Sequence, residues 1–257
     1  MTTAILVSTY NSPKYLNLCL KALARQTKTP DEIVIADDGS GEPTRKLINE
    51  YRDKLSCPLF HVWHPDKGFR KSAILNKGIA RCNSEYIIQI DGDIVAEKHF
   101  VEDHVRYARE GFFYAGSRGL LSEKEALKCL DSGNIDLGCF AKGMQHPFNM
   151  VRLPWLSPLL FRERNSRGCN IAYWRKDAIA INGYDERFEG IGAEDTDFDE
   201  RLERSGVKRR HLKLCAVAFH LWHPTRTAYN DNDALLFENR KNNTIISEKG
   251  IKEHLQV

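Results

Sequence analysis

The stretch YIIQIDGDIVAE, Tyr86–Glu97, decides the fold. An apolar run leads directly into Asp91-Gly92-Asp93, and the chain then turns polar. A short apolar run rich in isoleucine predicts a buried strand ending at the first aspartate. Two carboxylates one residue apart are costly to bury without partners, so the end of this strand must hold something or face water. Two oxygen donors with a glycine that lets a ligand approach suit a hard divalent cation, usually shared with substrate phosphates. A plain Asp-Gly turn accounts for the same residues equally well.

The segments before it repeat the pattern. AILVSTY (Ala4–Tyr10), DEIVIADDGS (Asp31–Ser40) and LFHVWHP (Leu59–Pro65) read as strands, and helical patterns separate them. The first helix carries Ser12 at its N-cap and Pro13 at its first position. EPTRKLINEYRDKL and KSAILNKGIARC supply the next two helices. Repeated β-α-β units imply a parallel sheet covered on both faces, with ligands beyond the carboxyl ends of the strands. Ser8-Thr9-Tyr10, Asp37-Asp38 and Asp91-Gly92-Asp93 should therefore converge on one crevice.

The remainder is less regular. SEKEALKCL (Ser122–Leu130) reads as a helix, CNIAYW (Cys169–Trp174) as a strand, and Glu194–Ser205 as a helix stopped by Gly206. LKLCAVAFHLWHP reads as one last strand ending near His223-Pro224, and the polar tail from Thr225 as a further helix with a frayed end. The chain of 257 residues, 42% hydrophobic and 28% charged, fits one α/β domain over residues 1–224 plus that tail, with halves at 1–119 and 120–224. A net charge of +3 gives no reason to expect nucleic acid, and the basic runs Lys208–Arg210 and Phe161–Gly168 read as solvated surface. Seven unpatterned cysteines suggest reduced thiols rather than disulfides or a zinc site. No apolar run approaches the roughly 20 residues of a membrane helix, and the chain enters a strand at once, so a cytoplasmic protein is expected.

Three further constellations carry chemistry. GIGAEDTDF (Gly190–Phe198) opens a helix with Glu194-Asp195, where the macrodipole keeps carboxylates ionised, as a base must be. Simple capping is the bland alternative. HLWHP (His220–Pro224) offers two imidazoles for a metal; in a continuous strand they would point to opposite faces, which favours His223. GFRKSAILNKG (Gly68–Gly78) sets Arg70 and Lys71 at a helix start, where cations oppose the dipole unless they share an anion such as a diphosphate.

Taken in order, VSTYN, ADDGS, GFRKSAILNKG, IDGD, GYDERFEGIGAEDTDF and HLWHP resemble the family 2 glycosyltransferases of the GT-A fold. The second half also resembles the carboxyl-terminal region of the β-1,4-galactosyltransferases. The resemblance implies a Rossmann-like mixed sheet flanked by helices, and transfer of a sugar from a UDP-sugar, with manganese or magnesium, to a hydroxyl of a glycan or lipid-linked acceptor. It implies that Ser8, Thr9, Tyr10 and Asp38 hold the nucleotide and that Arg70 and Asn76 line the donor side. Asp91 would meet the donor and share the metal with Asp93 and His223; Asp195 would be the base and Glu194 would orient the acceptor. Galactose, N-acetylgalactosamine, glucose and N-acetylglucosamine all remain as donors, and bacterial polysaccharide or lipopolysaccharide synthesis is the implied setting. Ile191 stands where those enzymes carry a tryptophan, and GAED replaces their GGED.

Two alternatives start from the same residues. IDGDIV also fits the D-x-D-x-V pattern of haloacid-dehalogenase-type phosphatases, with Asp91 as nucleophile, although three β-α segments precede it. A non-catalytic nucleotide-sugar-binding protein is the other. PWLSPLLF, with Trp155, Leu156, Leu159, Leu160 and Phe161 flanked by Arg152, Arg162 and Arg164, reads either as a peripheral contact with the inner membrane face through residues 152–164 or as a loop over the acceptor site. Sedimentation with anionic vesicles separates these two readings.

Overall fold

The computed structural model describes residues 1–138, 143–145, 147–160, 168–224 and 231–255. Seven strands form the main sheet: β1 (Thr3–Thr9), β2 (Glu32–Asp37), β3 (Leu59–Trp63), β4 (Tyr86–Asp91), β6 (Phe112–Ala115), β9 (Asn170–Trp174) and β10 (Lys208–His211). Their order is β10-β6-β9-β4-β1-β2-β3. Strands β3, β2, β1 and β4 run parallel, as the β-α-β pattern predicts, while β9 lies antiparallel between β4 and β6. A smaller sheet, β5-β11-β7-β8, combines β5 (Ile94–Ala96), β7 (Arg118–Leu121), β8 (Met144–Gln145) and β11 (Ala218–His220).

Alternation along the central strands builds two cores. Ile5, Val7, Ile33, Ile35, Ile88 and Ile90 face helices α1 (Pro13–Leu23) and α2 (Glu42–Tyr51), giving one cluster with Leu16, Leu20 and Ile48. Ala4, Leu6, Val34 and Ile87 face the other way, toward α3 (Lys71–Arg81), and join Ile74, Ile79, Phe198 and Leu202 in the second. Helix α3 sits close on β1 because Gly78 has no side chain; a Cβ there would lie 2.5 Å from a Leu6 methyl. The tail does more than fray: α8 (Asn232–Lys241) is followed by a 3-10 turn whose Ile251 is fully buried in this second core.

Two expectations fail locally. LKLCAVAFHLWHP is not one strand, because Leu214 and Ala216 adopt left-handed φ of 61° and 48° and break it between β10 and β11. The run Lys208–Arg210 is not simply solvated surface: it forms the edge strand β10, with Arg209 buried and its guanidinium 2.7 Å from Glu203. The segment Pro154–Leu160 is a 3-10 helix with Trp155 and Leu159 exposed by 69% and 80%; Phe161, Arg162 and Arg164 lie outside the described residues. No helix among the described residues is long and apolar enough to cross a membrane.

Helix α4 (Phe100–Tyr107) buries His104 completely. Asn170 donates its amide to the carbonyls of Ser117 and Ala216, so its Oδ1 faces His104 Nε2 as an acceptor at 3.0 Å. That fixes the neutral tautomer with hydrogen on Nε2 and leaves Nδ1 buried without a partner. Burial therefore pulls the His104 pKa from 6.5 down to about 4. With the folded value below the unfolded one, the unfolded chain binds more protons between these limits, so stability is lost as pH falls through that window. The loss reaches about 3 kcal/mol at most, from about 1.4 kcal/mol per pKa unit. His104→Gln, which keeps an Nε2 donor, should flatten the pH dependence of denaturant-unfolding free energy between pH 6.5 and 4; equal slopes in the two proteins would refute this account.

Candidate active site

The carboxyl ends of β1, β2 and β4 meet in one crevice. Ser8 Oγ donates to Asp91 Oδ1 at 2.5 Å, Gly92 N–H to the Ser8 carbonyl at 2.8 Å, and Asp38 N–H to the Thr9 carbonyl at 3.0 Å. A Cβ at Gly92 would lie 3.1–3.3 Å from Ser8 and Thr9, so glycine lets the Asp-Gly-Asp turn fold tightly over the end of β1. Thr9 Oγ1 is buried without a partner, and Tyr10 donates its hydroxyl to Asp66 at 2.7 Å.

Lys71, the first residue of α3, joins this crevice to helix α7 (Glu194–Arg204). Its Nζ lies 3.1 Å from Asp91 Oδ1, 3.8 Å from Glu194 Oε1 and 3.9 Å from Asp195 Oδ2. Burial works against the ammonium, but Asp195, Asp91 and Glu194 together hold its pKa well above the ordinary value. Asp91 shows the same contest: burial opposes its charge, and Lys71 with the Ser8 hydroxyl wins, holding it below the usual carboxylate range. At α7 burial wins. Asp195 is raised, and Glu194 is pushed up to about 7 by burial and by the neighbouring Asp195.

The base candidate is tightly placed. Gly168 N–H donates to Asp195 Oδ2 at 3.1 Å, while Oδ1 is buried with no partner. A Cβ at residue 168 would come within 2.1 Å of that oxygen. The residue before the pair, Ala193, takes a left-handed φ of 71°, a conformation costing an L-residue roughly 1–2 kcal/mol.

A second cluster forms around Asp93. Asp93 Oδ2 lies 3.3 Å from His223 Nε2, and Asp93 Oδ1 lies 3.7 Å from His220 Nε2. One donor atom from each of the three residues falls within 4.8 Å of the others. Both histidines reach the cluster because β11 ends at His220, so the strand alternation that would separate them no longer applies. His223 Nδ1 lies 3.0 Å from the Pro224 carbonyl; donation there leaves Nε2 with its lone pair free. Asp93 Oδ1 is buried without a hydrogen bond, and one carboxylate with two imidazoles is a donor set for a divalent transition metal. The residues present fit such an ion.

Two expected site residues have their side chains engaged within the protein. Asp91 stands apart from the metal-type cluster, with its carboxylate paired to Lys71 and Ser8. Asn76 does not line the donor side: it is fully buried, its amide donates to the Tyr184 carbonyl and to Glu186, and its Oδ1 accepts from Tyr184 N–H. Asp38 lies beneath the crevice with both oxygens engaged, by His64 Nε2 at 2.6 Å and Arg70 N–H at 2.9 Å. Arg70 reaches the Pro65 carbonyl with one nitrogen and leaves Nε buried and unpartnered. Sequence reasoning missed His64 and His61, which pair with Asp38 and with Asp37. Histidines at the end of β3, beside two aspartates ending the neighbouring parallel strand, were the available signal. Sequence reasoning gave Lys71 an anion such as a diphosphate to share with Arg70; the anions beside its ammonium here are the carboxylates of Asp91, Glu194 and Asp195.

Comparison with known proteins places this architecture. Residues 4–134 match Glycosyl transferase family 2, and residues 160–224 match the family described as the N-terminal domain of galactosyltransferase. The chain belongs to glycosyl transferase family 2. It is 26% identical over 255 residues to the hyaluronan synthase of Pasteurella multocida, covering 90% of this chain and 26% of that protein. The chain spans about a quarter to about half the length of the curated relatives it matches over most of its own length. The crystal structure of S. aureus TarS 1–349 in complex with UDP-GlcNAc superposes with a TM-score of 0.66 at 18% identity, covering 99% of this chain and 69% of that one. The Pyrobaculum calidifontis mannosyltransferase PcManGT, in complex with GDP-Man and Mn2+, gives 0.61 at 16% identity, covering 98% and 67%. These likenesses establish the GT-A fold. With the DGD motif on the fourth parallel strand, they set the phosphatase reading aside.

The left-handed Ala193 makes one prediction. Ala193→Gly removes the Cβ penalty and adds back chain entropy of about 0.5–1 kcal/mol, so the variant should be more stable by up to about 1 kcal/mol. Thermal unfolding measures this, and a lower melting temperature would show that the Cβ is not strained.

Proposed function

We propose that this protein is an inverting, metal-assisted glycosyltransferase. It moves galactose, N-acetylgalactosamine, glucose or N-acetylglucosamine from a UDP-sugar to a hydroxyl of a glycan or lipid-linked acceptor. The observation that carries the reading is that the two aspartates of one Asp-Gly-Asp turn each anchor a set of groups. Asp91 is joined through Lys71 to Glu194 and Asp195, and Asp93 stands with two imidazoles. Among the comparisons, a UDP-GlcNAc complex supports the donor class and a GDP-Man complex with Mn2+ supports a metal.

Asp195 is the base. Its Oδ1 is buried against Gly168, so the 26% of the side chain that stays exposed is what meets the acceptor hydroxyl, with Oδ2 oriented by Gly168 N–H. As the acceptor oxygen bonds to the anomeric carbon, the bond from that carbon to the diphosphate oxygen breaks and the hydroxyl proton passes to Asp195. One displacement inverts the anomeric centre. Glu194, pushed up to about 7, carries a proton for part of the time at neutral pH and orients the acceptor by hydrogen bonding. Lys71 keeps Asp91 and Asp195 from repelling each other. Asp93, His220 and His223 would hold the divalent ion, which supplies charge neutralisation to the leaving diphosphate when bound.

Asp195→Asn should reduce sugar transfer by at least about 10²-fold, the low end for general-base catalysis, with UDP-sugar affinity little changed. Measuring UDP release beside calorimetric binding tests this, and wild-type turnover in the folded variant would end the base assignment. The metal is tested separately. UDP should raise the melting temperature more with manganese than with EDTA, since a ligand that binds only the native state stabilises it. Asp93→Ala should erase that difference. A shift of equal size with and without manganese in the wild type would remove the metal from the mechanism.

A further inference from the structure

Arg118, on β7, is a cation that the proposed mechanism does not use. Its register partner on β11 is Ala218, and Leu120 pairs with His220, so Arg118 lies on the same face of the small sheet as His220. A second contact locates the guanidinium: Nη1 lies 3.3 Å from the sulfur of Cys169. Cys169 precedes Asn170, the register partner of Ile90 across β4 and β9, and so adjoins Asp91. Burial pushes the Cys169 thiol up to about 11, against the pull of Arg118 and with the help of Asp91 and Asp93. Register and charged neighbours together set the guanidinium toward Asp91, Asp93 and His220.

Among the described residues the thiol is the one hydrogen-bond partner of Arg118, and no carboxylate pairs with it. A neutral thiol is a weak acceptor. The side chain is only partly buried, so a ligand can reach it. The reaction proposed above has one obligate anion, the diphosphate of the donor, since the transferred sugars are neutral and the acceptor offers a hydroxyl. Lys71 is already engaged by three carboxylates. A diphosphate entering this acidic crevice needs positive charge of its own, and the planar guanidinium fork matches two phosphate oxygens at once. We propose that Arg118 binds the diphosphate of the nucleotide-sugar donor, on the same side of the crevice as Asp93 and His220. This rests on the glycosyltransferase reading and deepens it by adding a donor-binding residue from the small sheet.

The test titrates UDP and uridine into the full chain with manganese, using wild type, Arg118→Gln and Arg118→Lys. Manganese is also titrated alone into each protein. Arg118→Gln should weaken UDP binding at least about tenfold, about 1.4 kcal/mol, and leave the affinities for uridine and for manganese alone within about twofold. Arg118→Lys, which keeps the charge without the fork, should recover part of the loss. Unchanged UDP affinity in Arg118→Gln overturns the proposal and leaves the guanidinium as a counter-charge for Asp91 and Asp93. An equal loss for uridine and UDP overturns it as well, because the diphosphate is then not what Arg118 reads. A fall in manganese affinity matching the fall for UDP also overturns it, by assigning Arg118 to support of the metal-type cluster. Failure of the wild type to bind UDP would instead count against the glycosyltransferase reading beneath it.

Discussion

One ammonium among three carboxylates organises this molecule's crevice. Asp91 comes from the end of β4, Glu194 and Asp195 from the start of α7, and Lys71 from the start of α3. Without Lys71, three like charges would face one another in a site where their side chains are only 8–26% exposed. At such burial the repulsion is large, and the groups would protonate or move apart. The helix dipoles sharpen the constraint. Carboxylates suit the start of α7, but an ammonium at the start of α3 is opposed by its own helix. Only pairing across the crevice makes Lys71 favourable there, so the two helix starts are held together by the charges they bring.

That arrangement needs α7 delivered to the right place, and buried polar contacts deliver it. The loop before α7 hangs from α3: Asn76 grips the backbone of Tyr184 and the side chain of Glu186, and Gly190 N–H donates to the Phe69 carbonyl. Inside the core, Tyr184 stacks on Phe198 of α7 at a centroid distance of 4.1 Å, and Arg201 closes on Asp197 at 2.6 Å with both side chains fully buried. Breaking one of the hydrogen bonds or the ion pair leaves an unpaired buried group, which is why such contacts fix a single geometry. Asn76 thus acts on the site at one remove, by placing the loop that places the carboxylates.

The parallel half was legible because apolar runs ending in polar residues have one topological solution. Ser8, Asp38 and Asp91 converge because β1, β2 and β4 are neighbours pointing the same way. The pairing within the site was less legible. Sequence spacing placed Asp91 with Asp93, since they are two residues apart, yet the turn at Gly92 sends one toward Lys71 and the other toward two histidines. His220 was ranked below His223 on strand periodicity, which holds only inside the strand, and β11 ends there. Asn76 was misjudged because a polar residue on an apolar helix face reads alike whether it meets a ligand or a loop backbone. The edge strand β10 was hidden by its charge, since nothing local shows that Arg209 finds Glu203.

The departure of GAED from a double glycine shows how tightly Asp195 is placed. Ala193 keeps the left-handed φ that glycine would adopt freely, so the turn into α7 is imposed from outside rather than chosen by the residue. Two flanking contacts impose it: Asp197 N–H closes on the Ala193 carbonyl at 2.9 Å, and Asn232 of α8 donates to the Gly192 carbonyl at 2.8 Å. On the far side, Gly168 leaves no room for a side chain next to Asp195. A carboxylate held by one backbone N–H, flanked by a glycine, and entered through a strained turn has little freedom to rotate. With Oδ1 buried against Gly168, the exposed part of the carboxylate faces a fixed direction, which is what proton transfer from a positioned hydroxyl requires.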